Sequence, residues 1–228
     1  MKSPCAEPLL LKSYTASQQP VPADPRMQPV LLAGEVPDTM PEPLFLQADE
    51  QQRAARLLRP ALRKTYQVQH HLLRQYLSGF LGVAPLSLDF ETNPFGKPSL
   101  KTEKIRFSLS RSGNTMAFYF GPGEAGIDIE IIRDAGRYEG IARQHFHPSE
   151  QALIKNSLDF FTIWTRKEAL LKAIGTGLTE RLSAFDVSAG LVEAHSCLYT
   201  IDSYRLPEAV ISLAVPAAQH KDPLCFLL

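Results

Sequence analysis

The sequence predicts an α+β fold made of two similar halves. Helical periodicity runs from about 49 to 80 and is followed by alternating segments at 105–111 and 115–120. Downstream, an alternating segment at 126–131 precedes a helical stretch at 160–174 and further strand-like runs. Between the two series stands Gly121-Pro122-Gly123, a natural boundary. At 228 residues the chain is long enough for one large or two small domains with a real core. It shows no internal repeat, so any symmetry between the halves is structural only. The expected organisation is a loosely ordered arm over 1–28, an N-terminal half over 29–122 and a C-terminal half over 123–228.

Each element has a local reason. The arm is rich in Pro, Ser and Gln, a composition poor in residues that pay for ordering. Val30-Leu31-Leu32 predicts a first short strand. Asp49 is the expected cap of a helix through Glu50, Arg53, Ala54 and Leu57, interrupted at Pro60. A second helix runs from about Arg63 to Phe80. Val68, Leu72, Leu73, Tyr76 and Leu77 form its apolar stripe, and Gly82 lies just beyond its end. Asn93-Pro94-Phe95-Gly96-Lys97-Pro98 reads as a turn. In the following hairpin Ile105, Phe107 and Leu109 alternate with Arg106, Ser108 and Ser110, and Gly113-Asn114 supplies the reversal. Pro148 and Ser149 open a short helix, and Gly175 and Gly177 stop the long one. Strands are expected near 184–188, 197–201 and 209–215.

Composition narrows the function. Hydrophobic residues are 44% and charged residues 21%, as in an ordinary soluble protein. Lys+Arg and Asp+Glu both number 24, a balance that argues against a nucleic-acid partner. The one clearly basic region is Arg53, Arg56, Arg59, Arg63, Lys64 and Arg74 on the first two helices. Cys5, Cys197 and Cys225 show no metal-ligand spacing and no disulfide framework, which fits a reducing cytosol. Leu9 to Leu11 is too short an apolar run for a signal peptide, and no stretch approaches the ~20 apolar residues of a membrane span. The expectation is a cytoplasmic protein with no membrane partner.

Two acidic segments carry the chemistry. In Gly126-Ile127-Asp128-Ile129-Glu130 the isoleucines share one face of a strand and both carboxylates the other. Like charges on one face repel, an arrangement that a cation between them relieves. In the helix containing Trp164 to Lys172, the residues Trp164, Glu168 and Lys172 recur every four positions on one face. Three carboxylates and a lysine make a divalent-metal and proton-transfer site. Each segment also has an ordinary structural alternative, a solvent-facing strand edge and a surface ion pair contributing ~0.3–0.5 kcal/mol. His145-x-His147 is read as a helix start rather than a ligand pair, His70-His71 as a partly exposed helix pair, and Trp164 as packing that fixes its helix against the 126–131 strand.

The ordered set of motifs resembles the 4′-phosphopantetheinyl transferase superfamily, in its monomeric surfactin-synthetase-activating type. The set is Asn93-Pro94-Phe95-Gly96-Lys97-Pro98, Phe107-Ser108-Leu109-Ser110-Arg111-Ser112, Gly126 to Glu130, and Trp164-x-x-Lys167-Glu168-Ala169-x-x-Lys172-x-x-Gly175-x-Gly177-Leu178. It spans roughly residues 45–215. The resemblance implies two halves related by a pseudo-two-fold axis, with the active site in the cleft between them. It implies transfer of phosphopantetheine from coenzyme A to a serine of an apo acyl or peptidyl carrier protein, releasing adenosine 3′,5′-bisphosphate.

By the same resemblance Asp128, Glu130 and Glu168 hold Mg²⁺, with Mn²⁺ as an alternative, the donors all being hard oxygens. Glu168 is also the implied general base and Lys172 the partner of the leaving phosphate. Coenzyme A contacts fall to Lys97, Pro98, Ser110, Arg111, Ser112, Asp128 and Lys172, with Arg63 or Lys64 joining from the N-terminal helices. The family's usual Ser-His-Ser is here Ser110-Arg111-Ser112, and its usual Asn is Ser108. Arginine is a permanent cation with a fork suited to phosphate. Other readings are a degenerate member that binds coenzyme A or carrier protein without transfer, and a metal-dependent nucleotidyltransferase or phosphohydrolase.

Overall fold

In the computed structural model, residues 24–101, 105–134, 138–177 and 181–228 are described. Residues 1–23 of the expected arm, and Leu178 of the last motif, lie outside them. The fold is α+β. Strand β1 (Val30–Glu35) is followed by helices α1 (Ala48–Ala55) and α2 (Pro60–Leu81), then short strands β2 (Phe90–Thr92) and β3 (Pro98–Leu100). The hairpin β4 (Arg106–Ser112) and β5 (Thr115–Gly121) leads into β6 (Gly126–Ile131). Helices α3 (Tyr138–His145), α4 (Pro148–Gln151) and α5 (Ser157–Ile174) precede β7 (Leu191–Ala194), β8 (Cys197–Arg205), β9 (Ala209–Pro216) and β10 (Leu224–Leu227). One four-stranded sheet runs β10-β1-β5-β4 and another β6-β9-β8-β7, while β2 and β3 form a separate pair.

The first helices form slightly differently from the sequence expectation. Gln47, not Asp49, precedes α1, and the Glu50 carboxylate accepts from the Gln47 N–H at 2.8 Å. A glutamate three residues into a helix can reach back to this otherwise orphaned donor, whereas Asp49 already lies inside the first turn. Helix α2 opens at Pro60 rather than Arg63, because a proline suits the first helical position. It ends at Gly82, with φ 66. Its Val68, Leu73, Tyr76, Leu77 and Phe80 pack on Phe118 and Phe120 of β5 in one core cluster. Burying each of those aromatics is worth up to about 3 kcal/mol.

The opposite face of the first sheet packs against the second. Leu31, Ala33, Ala117 and Tyr119 meet Ile127, Ile129, Ile211 and Leu213, so the alternation of β6 sends its isoleucines into the seam between sheets. The β4–β5 turn closes at Gly113, whose φ of 54 suits glycine, and a Cβ there would fall 2.7 Å from the Ile131 side chain.

Helix α5 lies on the second sheet. A Cβ at Gly126 would fall 2.0 Å from the Ala169 carbonyl oxygen and 2.4 Å from the Ala173 nitrogen, so the bare backbone of β6 lets the helix approach. Asn156 caps the helix, accepting from the Asp159 N–H at 3.0 Å, and Gly175 ends it with φ 83. Buried polar pairs lock it down. Thr165 Oγ1 meets Ser212 Oγ at 2.8 Å, and Lys167 Nζ lies 2.8 Å from Glu150 and donates to the carbonyls of Leu182 and Phe185.

Further expectations are corrected. The segment 184–188 is no strand: a 3₁₀ turn over Leu182–Ala184 leads into a loop. The Lys167 ammonium takes the Phe185 carbonyl and Glu150 takes the Val187 N–H at 2.8 Å, so side chains satisfy its backbone instead of a ladder. Trp164 does not clamp α5 to β6. It stacks on Phe160 and tilts against Phe146, in the cluster on the α3–α4 side. The chain's last strand, β10, was not expected and runs parallel to β1, returning the C-terminal segment to the first sheet. Among the described residues no helix is long and apolar enough to cross a membrane.

Candidate active site

Strands β4 and β6 belong to different sheets, and serine hydroxyls bridge them. Ser108, Ser110 and Ser112 alternate along β4 and so face one way. Ser108 Oγ accepts from the Ile127 N–H at 3.0 Å, and Ser112 Oγ accepts from the Ile131 N–H at 3.2 Å. Ser110 Oγ donates to Asp128 Oδ1 at 2.7 Å, and Ser112 Oγ donates to Glu130 Oε2 at 2.5 Å. Asp128 is only 5% exposed. The side chains of Ser110 and Ser112 are thus committed to the acidic strand. Arg111, between them, points the other way and lines a cavity.

Helix α5 brings the remaining groups. Lys172 Nζ lies 2.7 Å from Asp128 Oδ1 and donates to Ser110 Oγ at 2.9 Å and to the Ile127 carbonyl at 3.0 Å. Burial pushes the Glu168 carboxyl above its usual range; the Asp128 charge adds to this and Lys172 opposes it. Burial likewise raises Glu130, against its hydrogen bond from Ser112 and with the Asp128 charge adding to the rise. Asp128, Glu130, Glu168 and Lys172 therefore form one electrostatic unit at the meeting of β4, β6 and α5.

These residues fit a divalent cation. Asp128 Oδ2 is buried and has no hydrogen-bond partner among the described residues, although Oδ1 has two. Asp128, Glu130 and Glu168 offer only hard oxygens, and their mutual repulsion is what a cation relieves. They do not form a closed cage. Among the described residues, the group whose ligand atoms all lie within 4.8 Å of one another is Asp202, His220 and Asp222, on β8 and the segment after β9, not this one. An open carboxylate set suits an ion that keeps water and substrate oxygens in its shell.

Beside the carboxylates lies a cavity of about 410 Å³. Arg53, Lys97, Arg111 and Lys172 line it, and among the described residues no carboxylate does. The Asn93–Pro98 turn supplies Lys97 and Pro98. Asn93 Oδ1 accepts from the N–H groups of Phe95 and Lys97, both at 2.9 Å, while its Nδ2 donates to the Gly175 carbonyl at 2.8 Å. One asparagine thus holds the turn and ties it to the end of α5. Lys97 Nζ is paired with Glu124 at 2.7 Å.

Of the expected site residues, Lys97, Pro98, Arg111 and Lys172 meet at this cavity, and Ser110, Ser112, Asp128, Glu130 and Glu168 at its acidic side. Arg63 and Lys64 do not line it. The Arg63 guanidinium runs back to the Leu57 carbonyl and Lys64 Nζ to the Asp38 carbonyl, as side chains in a first helical turn tend to do. The first two helices instead contribute Arg53 of the basic region, together with Tyr66 and His70, which sequence reasoning did not single out as site residues. Spacing by four puts Tyr66 and His70 on one face, but nothing in it names that face as the one turned to β4. Arg74 of the basic region is 1% exposed and paired with Glu50 at 2.7 Å. His147 does open a helix, its N–H donating to Glu150 at 2.7 Å, and His71 is buried, accepting from the Phe45 N–H at 3.1 Å.

Comparison with known proteins agrees with the motifs. Residues 124–205 match the model of the 4′-phosphopantetheinyl transferase superfamily. The chain is similar to the 4′-phosphopantetheinyl transferase HetI of Nostoc sp., 34% identical over 146 residues, 59% of this chain and 62% of the relative. It is similar to a putative 4′-phosphopantetheinyl transferase of Synechocystis sp., 31% identical over 149 residues, 61% of each chain. A third relative is the 4′-phosphopantetheinyl transferase gsp of Aneurinibacillus migulanus, 34% identical over 120 residues, 50% of this chain and 49% of the relative. The matches span less than two thirds of the length of each of these relatives. The family likeness read from the motifs is borne out by these matches.

Proposed function

We propose that this chain transfers the 4′-phosphopantetheine group of coenzyme A to a serine of an apo acyl or peptidyl carrier protein. The observation that carries the reading is Lys172, which joins the buried Asp128 to a cavity that, among the described residues, is lined by four cations and no carboxylate. The pyrophosphate and ribose 3′-phosphate of coenzyme A are densely anionic, and such a cavity offers them a compensating field. The relatives' shared name points to the same chemistry.

In this reading coenzyme A lies between two halves, 29–122 and 123–228, arranged about a pseudo-two-fold axis. Lys97 and Pro98 border its nucleotide, Arg111 and Arg53 face its 3′-phosphate, and Lys172 faces the pyrophosphate. Ser110 and Ser112 serve indirectly, holding Asp128 and Glu130 in place. The hydroxyl of the carrier serine attacks the β-phosphorus, and its proton passes to Glu168. With no cation beside it, burial and the neighbouring carboxylates hold the Glu168 carboxyl above the ordinary glutamate range. The bond to the leaving phosphate breaks, adenosine 3′,5′-bisphosphate departs, and the Lys172 ammonium stabilises the charge left on it. Asp128, Glu130 and Glu168 would hold Mg²⁺ or Mn²⁺, which when bound neutralises pyrophosphate charge. A monomer in a reducing cytoplasm suits this role, and Cys197 and Cys225 are free thiols.

The test is direct. The protein is incubated with coenzyme A, Mg²⁺ and a panel of apo carrier proteins, and intact mass is measured. The expected result is a gain of one phosphopantetheine on at least one carrier, lost with chelator. Coenzyme A binding without transfer to any carrier would leave a binding-only protein in its place.

A further inference from the structure

The wall of the cavity formed by α2 and β4 carries a stack of side chains. Glu50 is buried against Arg74, and its other oxygen lies 3.3 Å from His70 Nδ1. The His70 ring stacks on Tyr66, centroids 4.1 Å apart and planes at 29°. Arg111, arriving from β4, sets its guanidinium 5.6 Å from the centroid of the same Tyr66 ring. Arg53, Tyr66, His70 and Arg111 all line the cavity. A buried ion pair thus anchors a histidine, the histidine a tyrosine, and the tyrosine an arginine.

Two features of this wall suit an anion. Arg111 pairs with no carboxylate among the described residues, and burial lowers its pKa; its neighbour is an aromatic face instead. The Tyr66 hydroxyl is buried and has no hydrogen-bond partner among the described residues, a costly state that an acceptor oxygen in the cavity ends. A phosphate that reached both groups would satisfy them together. Arginine also differs from the family's usual histidine in length and freedom. A flexible side chain must be fixed before it can discriminate, and a stacked ring fixes it in advance.

We propose that Tyr66 is the positioning residue for Arg111. Its ring holds the guanidinium toward the cavity so that the pair, with Arg53, prefers a ligand carrying a terminal phosphomonoester over the same ligand without it. The inference rests on reading the cavity as the coenzyme A site, and its test separates the two.

Titration calorimetry with adenosine 3′,5′-bisphosphate and adenosine 5′-monophosphate gives the preference for the extra phosphate directly, without transfer. The wild-type protein should bind the bisphosphate about tenfold or more tightly, as charge-assisted phosphate contacts do. Tyr66→Leu should weaken the bisphosphate by about 3- to 30-fold, the range of a partly desolvated cation–π contact, and leave the monophosphate within about twofold. Tyr66→Phe, which keeps the ring, should lose only the hydroxyl contact, about 2- to 10-fold. In an Arg111→Ala background Tyr66→Leu should cost no more than the hydroxyl contact that Tyr66→Phe loses, since the ring acts only through Arg111. Arg111→Lys, which leaves Tyr66 untouched, should lose most of the preference because a point charge does not stack as a planar fork does. The inference is overturned if Tyr66→Leu weakens both nucleotides equally, if its penalty persists in full without Arg111, or if Arg111→Lys keeps the whole preference. A wild-type protein indifferent to the 3′-phosphate would instead overturn the coenzyme A reading of this wall.

Discussion

Lys172 Nζ and Asp128 Oδ1 stand 2.7 Å apart, and Ser110 Oγ lies 2.9 Å from the ammonium and 2.7 Å from the carboxylate. A helix, a strand of the second sheet and a strand of the first thus meet in one hydrogen-bonded triangle. The ammonium occupies one oxygen of Asp128, and the buried Oδ2 has no partner among the described residues. That division of labour within one carboxylate would let the same residue hold a lysine and, in the proposed reading, face a cation.

Removing these groups should stop transfer and spare the fold. Asp128→Ala and Glu168→Ala are each expected to lower single-turnover transfer by about 10²-fold or more, and Lys172→Ala by a similar factor. Circular dichroism should be unchanged. A near-wild-type rate in either carboxylate variant would remove that residue from the site.

Gly126 sets the distance between α5 and β6. Gly126→Ala places a methyl group 2.0 Å from the Ala169 carbonyl oxygen, where only backbone can yield. The expected loss is about 1–3 kcal/mol, as for other overpacked positions. Lys172 should move with the helix, so transfer should fall by more than thermal unfolding alone accounts for at a temperature where the variant is folded.

Glu50 gives stability a dependence on acid. Burial raises its pKa, but hydrogen bonds from His70, Arg74 and the Gln47 N–H outweigh this and hold it below the ordinary 4.5. A depressed carboxylate contributes fully above its unfolded value and loses that contribution as pH falls through the folded one. Urea midpoints should therefore decline below about pH 4.5 in the wild type, and more shallowly in Glu50→Gln. Glu50→Ala should cost about 3–5 kcal/mol at neutral pH, because Arg74 is left buried without its partner. An unchanged acid slope in Glu50→Gln would show that the pair does not govern it.

The basic helices can be divided by substitution. Arg53 lines the cavity, while Arg63 and Lys64 bond the carbonyls of Leu57 and Asp38. Arg53→Ala should raise the KM for coenzyme A by about 3- to 10-fold, the worth of one charge-assisted contact. Arg63→Ala and Lys64→Ala should stay within about twofold, as exposed charges do. The reverse ranking would return the nucleotide contact to α2's first turn.

Much of this was legible in the chain itself. Ile127, Ile129, Asp128 and Glu130 sort onto two faces by the period of a strand, and the seam between sheets is where the isoleucines lie. Glu168 and Lys172 share a helix face for the same kind of reason, and Gly82, Gly113 and Gly175 mark ends that take positive φ. What failed depended on partners distant in sequence. The segment 184–188 has strand composition but is satisfied by Lys167 and Glu150. The strand β10 forms by pairing with the edge of β1 that β5 leaves open.

The sequence by itself determined the α+β class, the order of the motifs and which residue types are candidates for the proposed chemistry, because these follow from local periodicity and side-chain identity. Tertiary structure alone decided that alternation splits the Ser110-Arg111-Ser112 triplet, two hydroxyls to the acidic strand and the guanidinium to the cavity. It alone placed Tyr66 beneath Arg111 and turned Arg63 and Lys64 away. Each of these outcomes depends on which face of one element another comes to cover, and that is set by packing across the whole chain rather than by any short run of residues.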